Sequence, residues 1–177
     1  MNITLIYGSP RKNGNSDKLG NAFVKGALMS GHNIKEFYIR DMNIQGCIGC
    51  EYCYTDFGQC SLNDDMYYIY KSLYSTECLI FVTPIYYQNF PSQMKAVIDR
   101  LYISENKPFA IKKACLLSTY ASKGKKWYKQ LKRNYYTLIK YHGWKNVGVL
   151  FVEGMDEVDD IDNSPALEQA MLMGKNI

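Results

Sequence analysis

The sequence lacks the features that mark membrane and secreted proteins. No apolar run in its 177 residues approaches the roughly 18 that a membrane-spanning helix requires. The N-terminus, Met1-Asn2-Ile3-Thr4, has no basic segment followed by a long apolar one, so we expect no secretion signal. We therefore expect a cytoplasmic protein without membrane contact, whose thiols are reduced.

Side chains suited to acid–base catalysis are also scarce. His32 and His142 are the only histidines, and each lies beside a glycine at the end of a predicted helix, where a surface role is the simpler interpretation. The net charge of +4 is too mild to indicate nucleic-acid binding, although it favours an anionic ligand. Reactivity supplied by a bound cofactor fits this composition better than hydrolysis does.

Strand and helix patterns alternate along the chain. Short apolar runs predict strands, and apolar residues at helical spacing predict helices. The alternation predicts one α/β domain spanning residues 1–177, a three-layer, doubly wound sandwich around a five-stranded parallel sheet. The predicted strands are 2–7, 34–39, 78–82, 114–117 and 147–152, and the predicted helices are 16–30, one beginning at Asp64, one beginning at Pro91, 125–141 and 163–173.

Four segments rich in polar or reactive side chains follow predicted strands. They are residues 8–16, 41–63, 83–89 and 118–123. Ligands of open parallel sheets bind at the carboxyl ends of the strands, so we expect these segments to converge on one edge. The acidic stretch 153–162 is predicted to be a solvated loop.

The first segment reads Gly8-Ser9-Pro10-Arg11-Lys12-Asn13-Gly14-Asn15-Ser16. Small hydroxyl side chains, two cations and the amides of a helix N-terminus favour an anion, of which phosphate is the natural example. The segment matches neither GxGxxG nor GxxxxGK[ST]. The alternative is an ordinary turn in which Asn15 or Ser16 caps the helix.

The segment after the third strand reads Thr83-Pro84-Ile85-Tyr86-Tyr87-Gln88-Asn89-Phe90. Its rings could cover a flat heterocycle while its amides bind the polar edge of that ligand. The alternative is a turn with partly exposed tyrosines. Farther on, Asp99 and Arg100 are interpreted as a structural ion pair.

Four of the six cysteines, Cys47, Cys50, Cys53 and Cys60, have the spacing C-x2-C-x2-C-x6-C. Such a cluster in a cytoplasmic protein indicates metal or redox chemistry. Three hypotheses stay open: a [4Fe–4S] cluster, reversibly oxidised thiols, and a zinc or structural role. Cys78 and Cys115 begin apolar runs and are interpreted as inert core thiols.

The chain resembles the NADPH-dependent FMN reductase family of flavodoxin-like proteins over residues 1 to about 152. The resemblance is carried by segment 8–16, then the segment that begins Thr83-Pro84-Ile85-Tyr86-Tyr87, then the run Lys95-Ala96-Val97-Ile98-Asp99-Arg100, in this order. The resemblance implies the strand order 2-1-3-4-5, bound FMN and a homodimer or homotetramer. It also implies that the FMN phosphate is held by Ser9, Arg11, Asn15 and Ser16. The isoalloxazine would be lined by Pro84, Ile85, Tyr86 and Tyr87, with Gln88 and Asn89 nearby. Segment 118–123 would add Ser118, Thr119 and Tyr120.

The cysteine spacing resembles the iron–sulfur flavoprotein branch of that family, in which a [4Fe–4S] cluster lies near FMN. The resemblance implies an oxidoreductase that passes electrons from NAD(P)H, or from a ferredoxin-like donor, through FMN to a quinone, another small molecule or an iron–sulfur acceptor. Two alternatives are a flavodoxin-like electron carrier without enzymatic activity and a redox-sensing regulatory protein that uses the loop from Cys47 to Cys60. The basic helix 125–141 is interpreted as a solvated surface and not as a nucleic-acid site.

Overall fold

The chain folds around a five-stranded parallel sheet in the order β2-β1-β3-β4-β5, as predicted. The computed structural model describes residues 1–55 and 58–177. All four strand pairs are parallel, so the carboxyl ends of the strands meet at one edge. The strands are β1 (Asn2–Tyr7), β2 (Asn33–Tyr38), β3 (Cys78–Pro84), β4 (Lys113–Tyr120) and β5 (Lys145–Glu153), and the helices are α1 (Asn15–Met29), α2 (Tyr52–Thr55), α3 (Met66–Leu73), α4 (Ser92–Arg100), α5 (Lys129–Tyr141) and α6 (Ala166–Lys175).

Helices cover both faces of the sheet, which gives the predicted three layers. On one face, side chains such as Ile80 pack against α1 and α6. On the other face, side chains such as Phe81 pack against α3, α4 and α5. The central strand β3 is buried on both faces from Cys78 to Thr83, which explains its continuous apolar sequence.

Several predicted boundaries were wrong. Strand β4 continues through Tyr120, so residues 118–120 are strand and not the start of a loop. β3 likewise extends through Pro84. Pairing with β3 and β5 along most of its length supplies the hydrogen bonds that prolong β4 beyond its apolar core. The short helix α2, inside the cysteine segment, was not predicted.

Helices α1 and α6 approach each other unusually closely. A Cβ added to Gly26 would lie 1.9 Å from the carbonyl oxygen of Met171, and one added to Gly174 would lie 2.0 Å from that of Phe23. Only glycine permits this backbone contact. The two glycines therefore hold α6 against α1, whose N-terminus belongs to the first polar loop.

The helices in the described ranges are too short or too polar to cross a membrane. None of those in residues 1–55 and 58–177 combines the length and apolar character that crossing a membrane requires. The longest of them, α1, has 15 residues.

Candidate functional site

A pocket of about 190 Å³ opens at the carboxyl edge of the sheet. Segments that are distant in sequence line it, as the strand topology predicts. Its lining comes from the first loop, the loop after β3, the end of β4 and the acidic stretch after β5. The lining residues are Ser9, Arg11, Gly14, Asn15, Ser16, Pro84, Ile85, Tyr86, Thr119, Tyr120, Ala121, Met155, Asp156 and Val158.

The start of α1 has no side-chain cap. The N-cap residue is Gly14, which has no side chain to bind the first amides of the helix. Asn15 and Ser16 lie inside the helix, so the alternative in which one of them is the N-cap was wrong. Ser9 and Ser16 are both buried at the pocket, and a helix N-terminus with hydroxyl groups beside it favours phosphate.

Thr119, in β4, joins the start of α1 to the loop after β3. Its Oγ1 is 2.7 Å from the Oγ of Ser16. Its carbonyl oxygen accepts a hydrogen bond of 3.0 Å from the backbone N–H of Ile85. Thr119 therefore sets the distance between the first loop and the loop after β3, although the sequence suggested only that it lies near the ligand.

The acidic stretch forms one wall of the pocket and is not simply a solvated loop. The Arg11 guanidinium donates to the carbonyl oxygen of Asp156 at 3.1 Å. The Asn15 side chain donates to the carbonyl oxygen of Glu157 at 2.6 Å and accepts from the N–H of Ile161 at 3.2 Å. Ile161 is fully buried and anchors the stretch. The side-chain amide of Asn15 thus binds the backbone of the acidic stretch. Asn15 also lines the pocket at the start of α1.

The loop after β3 contains a tight reverse turn. Tyr86 and Asn89 exchange two backbone hydrogen bonds of 3.0 Å. The two residues between them, Tyr87 and Gln88, have φ angles of +46° and +62°. Positive φ at both central positions is typical of a type I′ turn, which favours Asn and Gly. Tyr87 is fully exposed, so a large side chain occupies a position that the backbone disfavours.

Replacing Gln88 with Gly is expected to stabilise the protein by about 0.5–1 kcal/mol, because glycine adopts the left-handed conformation without a steric penalty. Urea unfolding measures the change. Gln130→Gly is the matched control, since Gln130 is exposed in the first turn of α5, where glycine is also a poor helix former and the hydrogen bond from Gln130 to Asn134 is lost. A loss of stability in both variants would contradict the turn assignment.

Some predicted residues lie outside the pocket, and some lining residues were missed. Tyr87 and Gln88 project from the turn, whereas the side chain of Asn89 accepts hydrogen bonds from the Phe90 N–H and the Asn134 amide. The buried Ser118 Oγ has no hydrogen-bond partner in the part of the chain that the structure describes. The lining residues that the sequence did not predict are Gly14, Ala121, Met155, Asp156 and Val158. The sequence did offer a signal for two of them, because Met155 and Val158 are apolar residues within an acidic stretch.

The four clustered cysteines share a second pocket, of about 290 Å³. Cys47 and Cys50 are exposed, and Cys53 and Cys60 are partly buried. All six cysteines of the chain are free. Within residues 1–55 and 58–177, no three His, Cys, Asp or Glu side chains are close enough together to bind one metal ion. The lining residues are Cys47, Ile48, Gly49, Cys50, Glu51, Cys53, Cys60, Ser61, Leu62 and Tyr102.

The environments of the thiols differ. A hydrogen-bond contact of 3.1 Å with the Ser61 hydroxyl lowers the pKa of Cys50. Burial, followed by the charge of Cys60, raises the pKa of Cys53. Burial also raises the pKa of Cys78 to about 12 and that of Cys115 still further. The two core thiols are therefore protonated and unreactive at neutral pH, in agreement with the interpretation from sequence.

A buried ion pair links α4 to the cysteine segment. Arg100 Nη1 is 2.5 Å from Asp64 Oδ2, and 1% or less of either side chain is exposed. Asp99 instead pairs with Lys95, one helical turn earlier. The expected pair of Asp99 with Arg100 was wrong, because consecutive helical residues point in different directions.

Asp64→Asn is expected to destabilise the protein by about 3–5 kcal/mol at pH 7, because it leaves Arg100 buried without a counter-charge. Burial alone would raise the pKa of Asp64, but hydrogen bonds from Arg100 and from the Gln45 N–H outweigh it and lower that pKa. The contribution of Asp64 is therefore complete above the unfolded pKa of about 3.9 and is lost as pH falls through the lower folded value.

Urea unfolding at pH 7 and in acid tests the ion pair, and the gap between wild type and Asp64→Asn should narrow in acid. Asp99→Asn, whose pair with Lys95 is exposed, is the control and should change stability by less than about 1 kcal/mol. Equal effects of the two substitutions at pH 7 would refute the special role of the buried pair.

The strand order and the pocket at the carboxyl edge define a flavodoxin-like α/β protein whose first helix begins at the pocket. The chain belongs to the NADPH-dependent FMN reductase family, whose sequence profile matches residues 1–152. This confirms the resemblance inferred from the two loops, and with it the class of flavin oxidoreductases.

Relatives in curated collections carry iron–sulfur names. The chain is 30% identical over 176 residues to an iron–sulfur flavoprotein of Methanosarcina thermophila, covering 98% of this chain and 88% of that protein. It is 34% identical over 108 residues to an iron–sulfur flavoprotein of Archaeoglobus fulgidus, covering 61% of this chain and 49% of that protein. In the second case the match spans only about half of the relative's length.

Solved structures share the fold. An NAD(P)H:quinone oxidoreductase from Methanothermobacter marburgensis superposes with a TM-score of 0.80 at 20% identity, covering 99% of this chain and 95% of that one. An FMN-dependent NADH-azoreductase from Bacillus anthracis, in complex with FMN, gives a TM-score of 0.71 at 12% identity, covering 99% and 97%. At these identities the likeness concerns the fold alone.

Proposed function

We propose that this protein is an FMN-dependent oxidoreductase, in which one domain of residues 1–177 binds FMN in the pocket at the carboxyl edge of the sheet. The observation that carries the proposal is the link through Thr119, which joins the Ser16 hydroxyl to the Ile85 backbone. This link holds an anion site and an apolar, aromatic loop on the same pocket, as a phosphate joined to a flat ring requires.

The residues fit the cofactor. The phosphate would be held by the buried hydroxyls of Ser9 and Ser16, the free amides at the start of α1 and the Arg11 guanidinium. Pro84, Ile85 and Tyr86 would lie along the ring system. When bound, FMN accepts a hydride or single electrons at its ring, and the protein contributes binding, orientation and exclusion of water. The proposed donor is NAD(P)H or a ferredoxin-like protein, and the proposed acceptor is a quinone, another small molecule or an iron–sulfur protein.

The cysteine pocket is proposed to hold a [4Fe–4S] cluster. Four thiols line one cavity, and thiolate sulfur is the donor that iron–sulfur clusters require. Such a cluster takes one thiolate at each iron, so its ligands are spaced around it and need not meet at one ion, which no three side chains of the described residues do. The names of the relatives add support. Cys47, Cys50, Cys53 and Cys60 would be the ligands, and the cluster would exchange single electrons with FMN. Free thiols of this kind suit a reducing compartment, so a cytoplasmic location is part of the proposal.

Exposed tyrosines beside the pocket favour an oligomer. Tyr87 is fully exposed and Tyr86 is 43% exposed, and exposed aromatic rings are enriched in protein interfaces. We propose a homodimer or homotetramer in which a second subunit covers this turn. Size-exclusion chromatography with light scattering measures the mass; a monomer would contradict this part of the proposal.

Anaerobic purification tests the function. The expected result is a flavin spectrum with one FMN per chain, together with four irons and four sulfides, and steady NAD(P)H oxidation with a quinone or dye. Protein that takes up no FMN in titration would refute the oxidoreductase proposal. FMN binding without turnover would support the electron-carrier alternative. FMN binding without iron would leave thiol chemistry or a zinc or structural role for the cysteines.

A further inference from the structure

A buried arginine lies against one of the four clustered cysteines. Arg100 Nη2 is 3.4 Å from the Sγ of Cys60 and donates a hydrogen bond to it. Only 1% of the Arg100 side chain is exposed. A guanidinium stays charged at every physiological pH, so a permanent positive charge lies at the wall of the cysteine pocket.

The surroundings of Arg100 fix its position. Nη1 binds Asp64 at 2.5 Å and the carbonyl oxygen of Gln45 at 3.1 Å. The guanidinium lies 5.9 Å from the centre of the Tyr70 ring, and the Tyr70 hydroxyl donates to the backbone carbonyl of Arg100 at 3.1 Å. The planar guanidinium therefore presents its second nitrogen to Cys60 in a single orientation.

We infer that Arg100 is a positioning residue that raises the reduction potential of the sulfur-centred group to which Cys60 belongs. The inference rests on the redox role proposed for the cysteine pocket. Reduction adds negative charge there: a cluster gains one electron, and a disulfide gains two electrons as its S–S bond breaks to leave two thiolates, which become neutral only where they take up protons from water. A buried cation that donates to the sulfur stabilises this more negative form, and solvent screens it little. Asp64 offsets part of the charge but makes no hydrogen bond to the sulfur.

The test compares midpoint potentials of the anaerobically reconstituted holoprotein, with FMN as the internal reference. Arg100→Met is expected to shift the ratio of oxidised to reduced cluster at least tenfold toward the oxidised form at a fixed potential. For a one-electron group this is a decrease of about 59 mV. The ratio of oxidised to reduced FMN at a fixed potential is expected to change less than threefold. Lys95→Met removes a charge from an exposed position on the same helix and is the matched control, with no shift expected.

A second variant guards against misfolding, because Arg100→Met leaves Asp64 buried without its partner. Arg100→Lys keeps the charge but lacks the second donor that reaches Cys60. It is expected to shift the same ratio about threefold in the same direction, or about 28 mV. Circular dichroism establishes which variants fold. If the cluster in the folded Arg100 variants has the same midpoint potential as in Lys95→Met, the inference is overturned.

If the protein binds no iron, the effect of Arg100 on Cys60 can still be measured as a thiol–disulfide equilibrium. Failure of the cluster proposal therefore stays distinguishable from failure of the inference. In glutathione buffers the Cys60 thiol and oxidised glutathione exchange to a mixed disulfide and one reduced glutathione. Mass spectrometry of the Cys60 peptide gives the equilibrium constant. Arg100→Met is expected to favour the mixed disulfide at least tenfold over wild type. An equilibrium equal to that of Lys95→Met would overturn the inference.

Discussion

The double substitution Ser9→Ala with Ser16→Ala is expected to weaken FMN binding by about 100-fold or more. Both hydroxyls are buried at the pocket, that of Ser9 in the loop after β1 and that of Ser16 in the first turn of α1, and a hydrogen bond to a charged group contributes about 1.5–3 kcal/mol. Two such bonds correspond to at least two decades in the dissociation constant. Titration of the FMN-free protein, followed by quenching of flavin fluorescence, measures the effect.

Riboflavin separates the phosphate site from general damage to the pocket. It has the ring system of FMN but no phosphate, so in the double variant its affinity should fall at least tenfold less than that of FMN, the remaining loss reflecting the broken Ser16–Thr119 bond. Ser75→Ala is the matched control, because Ser75 is exposed and donates only to the backbone of Ser72. Unchanged FMN affinity, or an equal loss for both flavins, would contradict the assignment of the two serines.

Gly174→Ala is expected to destabilise the protein by about 3 kcal/mol or more, since overfilling a close contact is costly when backbone atoms must move. The added methyl would lie 2.0 Å from the carbonyl oxygen of Phe23, so α6 must separate from α1. In a chain of this size the melting temperature should fall by roughly 10 °C. Thermal unfolding followed by circular dichroism measures the change.

Gly46→Ala is the control for this substitution. Nothing lies within 4 Å of a Cβ at that position, and the residue is exposed. Its stability should stay within about 0.5 kcal/mol of wild type. Equal melting temperatures for both variants would show that α1 and α6 do not make the close contact described.

The sheet and the composition of the pocket could be predicted because their signals are local. Alternating patterns determine the strands and helices, and parallel pairing brings their carboxyl ends together. Ser9 and Pro84 could therefore be assigned to one site from two short motifs. The same reasoning placed all four cysteines in one segment.

The side-chain partners could not be predicted because they join residues that are far apart in sequence. Asn15 binds the backbone of residues 157 and 161, and no local pattern indicates this. Arg100 pairs with Asp64, 36 residues earlier, across the helical layer. Thr119 was assigned to a loop because its polar side chain suggested the end of the strand, whereas pairing with β3 and β5 keeps it in β4.

The wall formed by Met155, Asp156 and Val158 lies beyond residue 152, where the family match ends. The pocket is therefore a composite: most of its lining lies within the residues that the family profile matches, and one side is supplied by the segment after β5. Arg11 and Asn15 fasten that side through backbone carbonyls, which any sequence can offer. The side chains of Met155 and Val158, which face the pocket, can therefore be substituted without removing the bonds that hold their segment in place.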